Sequence, residues 1–521
     1  MRIGRVLIAA VMLATLASGG ARAESSLVYS WTSNVGPLNP HAYSPNQMFA
    51  QAMLYEPLVK YEADGTIAPW LATAWNVSGD GHVYTFTLRQ DVKFSDGTVF
   101  DAAAVKANFD TVLANRAQHD WLELANQVQK TEAIDAATFR LTLKDSYYPV
   151  LQELALIRPF RFISPAAIPA EGTAEKIIAP TGTGPWKLVE TKLGEYDVFA
   201  RNENYWGPKP AFDRIVVKVI PDPNTRAVAF ETGDIDLIYG AGQVSPDTFA
   251  RLQAMYPGKA AVSQPLTTEA VALNSKRLPT SDLAVRKAIN HAVDKDAIVK
   301  GVLYGTQQRA DTLFASNFPY TDVGLAPYGY DPAKAAALLD AAGWRLADGE
   351  KIRSKDGVPL RIELCFVGND AQQKAIAEVI QANLLAIGID VVLVGEEANS
   401  FYTRQREGEF GMIFGETWGA PYDPHSFVSS MRVPSHADYQ AQLGLPMKAD
   451  IDAKIGQVLI TVDETKRQQL YKDILTTLHE QAVYLPLTYS TSLLVAGPKV
   501  EQAGFGPTVS EIPFEAYRPA N

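Results

Sequence analysis

The sequence is poor in the residues that carry covalent or catalytic chemistry. Its only cysteine, Cys365, excludes an internal disulfide and a thiolate cluster, and its place in E-L-C-F-V is typical of a small buried hydrophobe. The seven histidines form neither an H-x-x-H nor an H-E-x-x-H pair, and the sequence has no G-x-S-x-G motif. The common signatures of hydrolases and of protein-only metal sites are therefore missing, and we expect a protein that is not an enzyme.

Long hydrophobic runs are also missing beyond the N-terminus, so no later segment is expected to span a membrane. The first 23 residues combine Arg2 and Arg5, a short apolar run, and small residues at Ala21 and Ala23. This pattern predicts a signal peptide cleaved after Ala23 and a soluble, exported protein. Cleavage removes three arginines and no acidic residue, which changes the formal charge from −11 to −14. An acidic surface argues against nucleic acid or an anionic membrane as partner.

Short β-rich and helical stretches alternate along the chain, which is typical of an α/β protein with mixed sheets. Residues 83–88 alternate as a half-buried strand, and residues 94–100, with Asp-Gly at the centre, resemble a hairpin. Residues 361–367, a helix near 371–387, and residues 389–394 predict a parallel strand pair with a crossover helix. The N-cap residues of three further predicted helices are Asp101, Ser281 or Asp282, and Asp331.

About 500 residues remain after removal of the leader, which exceeds the usual size of one domain. Two apolar, strand-like passages, 269–274 and 483–488, are suited to join one lobe to another. We therefore predict lobe I from residues 24–268 plus 488–521, with an extra subdomain, and lobe II from residues 269–487. Two crossings form a hinge, with a ligand cleft between the lobes.

One segment concentrates aromatic, cationic and imidazole side chains between three prolines. Its members are Trp418, Tyr422, Asp423, His425, Arg432 and His436. Because Pro421, Pro424 and Pro434 exclude a continuous helix, we expect these side chains on loops. Such a cluster suits a small polar ligand. Taken alone, the same residues fit better a loop whose Trp418 and Tyr422 anchor it on the core and whose histidines are solvated.

Motifs along nearly the whole chain resemble one family. They are Y55-E-P-L-V-K-Y, W70-L-A-T-A-W-N-V, G182-T-G-P-W-K-L, R201-N-E-N-Y-W-G-P and V285-R-K-A-I-N-H-A-V-D. Together they resemble the large family 5 extracellular solute-binding proteins, which serve peptide and nickel ABC importers. The resemblance implies a two-lobed, type II periplasmic binding protein fold, a periplasmic monomer, and the importer's permease subunits in the inner membrane as partners.

Other segments resemble the nickel-importer members of this family. They are N34-V-G-P-L-N-P-H, W121-L-E-L-A-N-Q and T417-W-G-A-P-Y-D-P-H. They imply that the cargo is nickel, carried as a small organic chelate such as nickel–histidine, and that no catalytic cofactor is needed. A di- or oligopeptide receptor stays the alternative, because peptide-binding relatives hold an α-amino group with an aspartate of this loop, here Asp423.

The resemblance also implies roles for individual polar residues. His436 would be the single protein donor to an already chelated nickel, and the alternative is a surface imidazole. Arg158 would hold a chelator carboxylate through its planar fork, and the alternative is an ion pair between lobes. Arg161, three positions further, would face the opposite side of an extended run. His425 is expected to cap a helix or support the site by a hydrogen bond.

Apolar residues are implied to wall the cleft, although each alone also fits an ordinary core. They are Met48, Trp121, Tyr402, Trp418 and Tyr422. Gln118 departs from the nickel-type pattern, which has a second arginine at this position. An uncharged side chain should hold a highly anionic chelator less well, so the identity of the chelator stays open.

Overall fold

The computed structural model describes residues 24–42 and 47–520, so the predicted signal peptide lies outside the described residues. The described chain is a mixed α/β protein with four sheets of three or more strands and three two-stranded sheets. Among the described residues, no helix is long and apolar enough to cross a membrane.

The first sheet joins the N-terminal strand to a later hairpin. Its strands, in spatial order, are Ser26–Trp31, Arg214–Val219, Tyr196–Arg201 and Trp186–Lys192. Nearby, Leu493–Ala496 pairs antiparallel with both Leu237–Tyr239 and Ala260–Val262. The C-terminal part of the chain therefore returns to residues of the N-terminal half. The division into two lobes, with the tail in lobe I, stays a prediction.

A separate antiparallel sheet is built between residues 72 and 143. Its strands, in spatial order, are Ala72–Val77, Val83–Leu88, Thr138–Leu143 and Val128–Asp135. Burial alternates along Val83–Leu88 as predicted, because one face packs on the core and the other faces solvent. The predicted hairpin at 94–100 keeps its tight turn but has only one bridge, Lys93 to Val99. Phe94 and Phe100 both turn into the core, which ends the ladder.

The largest sheet has six strands and carries both predicted crossing passages. Its strands, in spatial order, are Gln308–Arg309, Tyr484–Ser490, Thr267–Leu273, Met412–Glu416, Arg361–Val367 and Asp390–Glu396. Tyr484–Ser490 and Thr267–Leu273 are antiparallel neighbours. Arg361–Val367 runs parallel to Asp390–Glu396 through the helix Ala371–Leu385, so the predicted strand–helix–strand unit is confirmed. Cys365 is fully buried in this sheet, as expected.

The helices begin where the predicted capping residues stand. Side-chain oxygens of Asp101, Asp282 and Asp331 accept hydrogen bonds from backbone N–H groups of the first turn. The two-stranded sheets pair Val59–Tyr61 with Ile67–Pro69, Ser354–Lys355 with Val358–Pro359, and Val500–Gln502 with Arg518–Pro519. The α-helices are Met48–Leu54, Ala102–Ala114, Glu123–Gln127, Val150–Leu154, Pro223–Glu231, Pro246–Met255, Leu283–Ala292, Lys295–Ala297, Pro332–Ala341, Ala371–Leu385, Ala398–Glu407, His425–Ser430, Ala437–Gln442, Lys448–Ile460 and Glu464–Glu480. Short 3-10 helices span Arg116–His119, Pro165–Ala167 and Phe514–Ala516, and a π-helical turn spans Ile298–Val302.

The largest hydrophobic core joins side chains from the 58–162 region to side chains from the 272–484 region. The Tyr148 and Tyr471 hydroxyls lie 2.6 Å apart, and the Tyr148 N–H donates to the Leu459 carbonyl at 3.0 Å. Ser146 donates to the Ile460 carbonyl at 3.1 Å. These contacts hold the two regions together, and the cavity described below lies at the carboxyl ends of two strands of the six-stranded sheet.

Candidate functional site

A cavity of about 400 Å³ opens at the carboxyl ends of the parallel strands Arg361–Val367 and Met412–Glu416. Ligands of α/β proteins commonly bind at this edge of a sheet. The polar and aromatic side chains of its lining are Thr268, Gln373, Phe401, Tyr402, Gln405, Phe414, Glu416, Thr417, Trp418, Phe427, His436, Asp438 and Tyr484. Three of the predicted site residues, Tyr402, Trp418 and His436, therefore share one cavity.

The predicted aromatic residues form a series of contacts that leads away from this cavity. The His436 ring lies 5.8 Å from the Trp418 ring, and the Trp418 ring lies 6.4 Å from the Tyr422 ring. The Tyr422 ring is in turn 6.4 Å from the Trp121 ring, centroid to centroid. The guanidinium of Arg158 stacks on Trp121 at 4.6 Å. The structure therefore brings five of the predicted residues into one continuous set of contacts.

His436 occupies the position that precedes the first residue of the helix Ala437–Gln442. Its side chain is half-buried, and burial lowers the pKa of its imidazole, an effect that the nearby Asp438 carboxyl partly opposes. A lowered pKa keeps the ring neutral near pH 7, and a neutral imidazole has the lone pair that binds a metal. In the described part of the chain, no three His, Cys, Asp or Glu side chains are placed to hold a metal ion.

The turn that presents Trp418 is fixed by Asp423. Its carboxylate accepts hydrogen bonds from the backbone N–H of Trp418 at 3.1 Å and of Gly419 at 2.9 Å. The side chain is fully buried, and burial raises the pKa of Asp423 to about 7. Asp423 therefore supports the turn. Its hydrogen bonds are made within the loop, which leaves it poorly placed for the α-amino contact of the peptide alternative.

The expectation that the whole 418–436 segment is loop was wrong in one part. Residues His425–Ser430 form a short helix. Pro424 stands at the N-cap of this helix, where a missing N–H costs nothing, so the proline does not interrupt it. The remaining members of the segment lie in turns, as expected.

His425 is buried at the start of that helix and is not part of the lining of the main cavity. Its Nε2 lies 3.5 Å from Oε1 of Glu153, which is also buried. Glu153 accepts hydrogen bonds from the Tyr147 hydroxyl at 2.5 Å and from the backbone N–H of Leu124 at 2.8 Å. The contact links the 418–436 segment to the region around Glu153. Among the described residues the helix has no side-chain cap and Nε2 of His425 makes no hydrogen bond, so the supporting role of His425 stays a prediction.

Arg158 and Arg161 have different environments. Arg161 donates to the backbone carbonyls of Leu156, Tyr55 and Ala155 at 2.7, 2.8 and 3.0 Å. Burial lowers the pKa of Arg161 to about 10, and the carboxylate of Glu511, 3.8 Å away, opposes that shift. Arg161 is therefore part of the scaffold. Arg158 is also buried but lies against the Trp121 ring.

The remaining predicted residues lie outside the main cavity. Met48 and Tyr422 line a small neighbouring cavity of about 20 Å³, next to Thr508 and Glu511. Gln118 lies exposed in the 3-10 helix Arg116–His119, three residues before Trp121. Neither cavity includes Gln118 in its lining.

Sequence reasoning missed two acidic residues of the main cavity. Asp438 follows His436 by two positions, and Glu416 immediately precedes the T-W-G-A-P motif. Their closeness to motifs already singled out was the available signal.

Comparisons with known proteins show which family the chain resembles in sequence and fold. Residues 66–439 match the family described as bacterial extracellular solute-binding proteins, family 5 Middle. The chain is 58% identical over 500 residues to the nickel-binding periplasmic protein of Escherichia coli (strain K12), which covers 96% of this chain and 95% of that protein. It is 26% identical over 516 residues to the dipeptide-binding protein of the same organism, covering 94% and 93% of the two chains.

Among solved structures, NikA from Brucella suis in complex with Fe(III)-EDTA superposes with a TM-score of 0.92 and is 65% identical, over 95% of this chain and 100% of that chain. NikZ from Campylobacter jejuni in complex with Ni(L-His) has a TM-score of 0.73 and 22% identity, over 95% and 99% of the two chains, and shares the fold. The expected two-lobed α/β binding-protein fold is confirmed, and these relatives are binding proteins rather than enzymes. The chain belongs to the family 5 extracellular solute-binding proteins.

Proposed function

We propose that this chain is the receptor of a nickel ABC importer and that it captures nickel as a small organic chelate such as nickel–histidine. The observation that carries the proposal is the placement of His436 in a cavity of about 400 Å³, in ring contact with Trp418. The E. coli relative that is 58% identical is itself a nickel-binding periplasmic protein.

The size of the cavity favours a chelate over a bare ion. Small-molecule pockets enclose roughly 300–1,000 Å³, and this cavity lies in that range. A first-row metal ion needs several donors, of which His436 supplies one nitrogen. A chelator that supplies the other donors would occupy the space that the ion leaves.

Arg158 and the aromatic residues would complete the recognition. The planar fork of a guanidinium suits a chelator carboxylate, and its stack on Trp121 restricts its orientation. Tyr402, Trp418 and Tyr422 would shield the chelate from water, which strengthens each polar contact. Met48 would add an apolar contact from the neighbouring small cavity.

The transport cycle follows from the family. The protein would be exported through its signal peptide, act as a monomer in the periplasm, and deliver cargo to permease subunits in the inner membrane. Residues 24–268 with 488–521 would form one lobe and residues 269–487 the other. Ligand would select the closed arrangement because it contacts both lobes only there.

The site can be tested by filling the cavity without disturbing the fold. A Cβ added at Gly415, which lines the cavity, meets no atom within 4 Å. We expect Gly415→Val to keep the melting temperature of the parent protein and to abolish its calorimetric binding of nickel plus L-histidine. Gly504→Val, at a glycine with equally open surroundings outside the cavity, is the matched control.

Two results would contradict the proposal. Unchanged binding of nickel plus L-histidine by Gly415→Val would exclude this cavity as the binding site. Equally tight binding of nickel with and without histidine would exclude a chelate as the cargo.

The peptide alternative is weakened by the position of Asp423, whose carboxylate accepts two backbone hydrogen bonds within its own turn. A peptide receptor would be stabilised against heat by short peptides without metal. Stabilisation of the parent protein by members of a di- to pentapeptide library, with none by nickel–histidine, would reverse the choice.

A further inference from the structure

The cavity that contains His436 is acidic. Its lining includes the carboxyl groups of Glu416 and Asp438, and among the described residues that line it none is lysine or arginine. Arg158, the cation expected to hold a chelator carboxylate, lies beyond Trp418, Tyr422 and Trp121 in the series of contacts. The metal-donor end of the site therefore has the opposite charge from the end marked by Arg158.

Glu416 stands in an unusual electrostatic environment at the end of its strand. It lies directly opposite Glu269 on the antiparallel neighbour, and burial raises the pKa of Glu269 to about 8, so that Glu269 keeps its proton near pH 7. The Thr267 hydroxyl donates to Oε1 of Glu416 and fixes its orientation. Although the Glu416 side chain opens onto the cavity, enclosure by the protein raises its pKa, and Asp370 adds to the increase. A cationic or N–H-rich group placed beside Glu416 would stabilise the ionised form of its carboxyl group.

An unmade hydrogen bond in the same lining points to a polar ligand. Thr268 is fully buried and lines the cavity, and its hydroxyl has no hydrogen-bond partner in the described part of the chain. Leaving a buried hydroxyl unpaired is costly, so a ligand group at this place would be favourable. Asp438, on the same lining, is oriented by the Tyr484 hydroxyl, which donates to its Oδ1 at 2.8 Å.

Resting on the proposed function, we propose that Glu416 determines the class of chelate that binds. It favours nickel complexes whose outer edge carries amine N–H groups, as in amino-acid chelates. It disfavours complexes with uncoordinated carboxylates or net negative charge. Amine nitrogens bound to nickel keep N–H groups, which are polarised by the metal and donate to a carboxylate. The carboxylate of a highly anionic chelator would face Glu416 and Asp438 instead.

The test compares nickel–histidine with nickel–EDTA by isothermal titration calorimetry, in the full mature protein and in Glu416→Gln. The glutamine keeps an oxygen that can accept from Thr267, so its melting temperature should match that of the parent protein. We expect the parent protein to prefer nickel–histidine, and Glu416→Gln to reduce the ratio of the two affinities by about tenfold or more, as for loss of one charged hydrogen bond. Glu407→Gln, an exposed acid outside the cavity, should leave the ratio unchanged.

The outcomes separate this inference from the proposed function. A parent protein that binds neither chelate would overturn both. Binding of both chelates with a ratio that Glu416→Gln does not change, or a parent preference for nickel–EDTA, would overturn the role of Glu416 and leave the receptor function intact.

Discussion

The two neighbouring arginines allow the separation of ligand binding from folding. Arg158 and Arg161 are both buried, have the same side chain, and stand three positions apart. Arg161 donates to three backbone carbonyls, whereas Arg158 stacks on Trp121 in the series of contacts that leads to His436. Alanine at each position should therefore produce a different defect.

The magnitudes follow from the contacts. Arg158→Ala removes, among its contacts, the stack on Trp121, which is worth about 0.5–2 kcal/mol. Removing one partner of a buried charge pair costs about 2–5 kcal/mol, so affinity for the chelate should fall by roughly 30-fold to several thousand-fold. Arg161→Ala leaves three buried carbonyls without their donors, at about 1–3 kcal/mol each. That loss is a large part of a typical domain stability of about 5–15 kcal/mol.

The assay measures both quantities on each variant. Differential scanning fluorimetry gives the melting temperature without ligand, and calorimetry with nickel plus L-histidine gives the affinity at a temperature where the variant is folded. Arg158→Lys and Arg161→Lys keep the charge and serve as conservative partners. Near-normal affinity of Arg158→Ala, or an unchanged melting temperature of Arg161→Ala, would refute the assignment of the two roles.

Three further predictions concern stability. Burial raises the pKa of Glu269 from the ordinary carboxyl value of 4.5 to about 8, so between these pH values the folded state keeps a proton that the unfolded state loses, and stability should fall by up to about 1.4 kcal/mol per pH unit as pH rises. Glu269→Gln should flatten this part of the plot of melting temperature against pH, and an unchanged slope would contradict the prediction. Gly444→Ala should lower the melting temperature by several degrees, because the new Cβ would lie 2.0 Å from the Ser275 carbonyl oxygen; normal melting would show that the chain relaxes there. Asp423→Ala should lower both the melting temperature and the chelate affinity measured by calorimetry, because the Trp418 turn loses two hydrogen bonds. A decrease in only one of these two measured quantities would show that the turn does not support the binding site.

Local features of the fold could be read from the sequence because they depend on neighbours in the chain. Asp101 and Asp331 cap helices through hydrogen bonds that span three residues, and the alternation along residues 83–88 reflects one buried face. The short helix at His425 does not follow from the sequence pattern, because prolines ordinarily interrupt a helix, whereas Pro424 stands at the helix N-cap. The position of a proline relative to a helix, rather than its presence, decides whether it interrupts the helix.

The candidate site depends on contacts between distant parts of the chain, so only part of it was predictable. Spacing alone could not show which of Arg158 and Arg161 is engaged by backbone carbonyls, because those carbonyls include Tyr55, more than one hundred positions away. Glu416 was missed for the same reason. Its environment arises because Met412–Glu416 pairs with Thr267–Leu273 and places Glu269 opposite it.

The order of contacts in the site constrains the cargo more than any single residue does. An imidazole at one end, a guanidinium at the other and aromatic rings between them make different demands on a ligand. A bare ion bound to His436 would gain nothing from Arg158, because two cations repel each other. A ligand that uses both ends must therefore carry an anionic group as well as the metal. Glu416 lines the same cavity as His436, so under the proposal above such a ligand would also be asymmetric, with its N–H groups towards Glu416 and its carboxylate towards Arg158. Amino-acid chelates of nickel have this asymmetry.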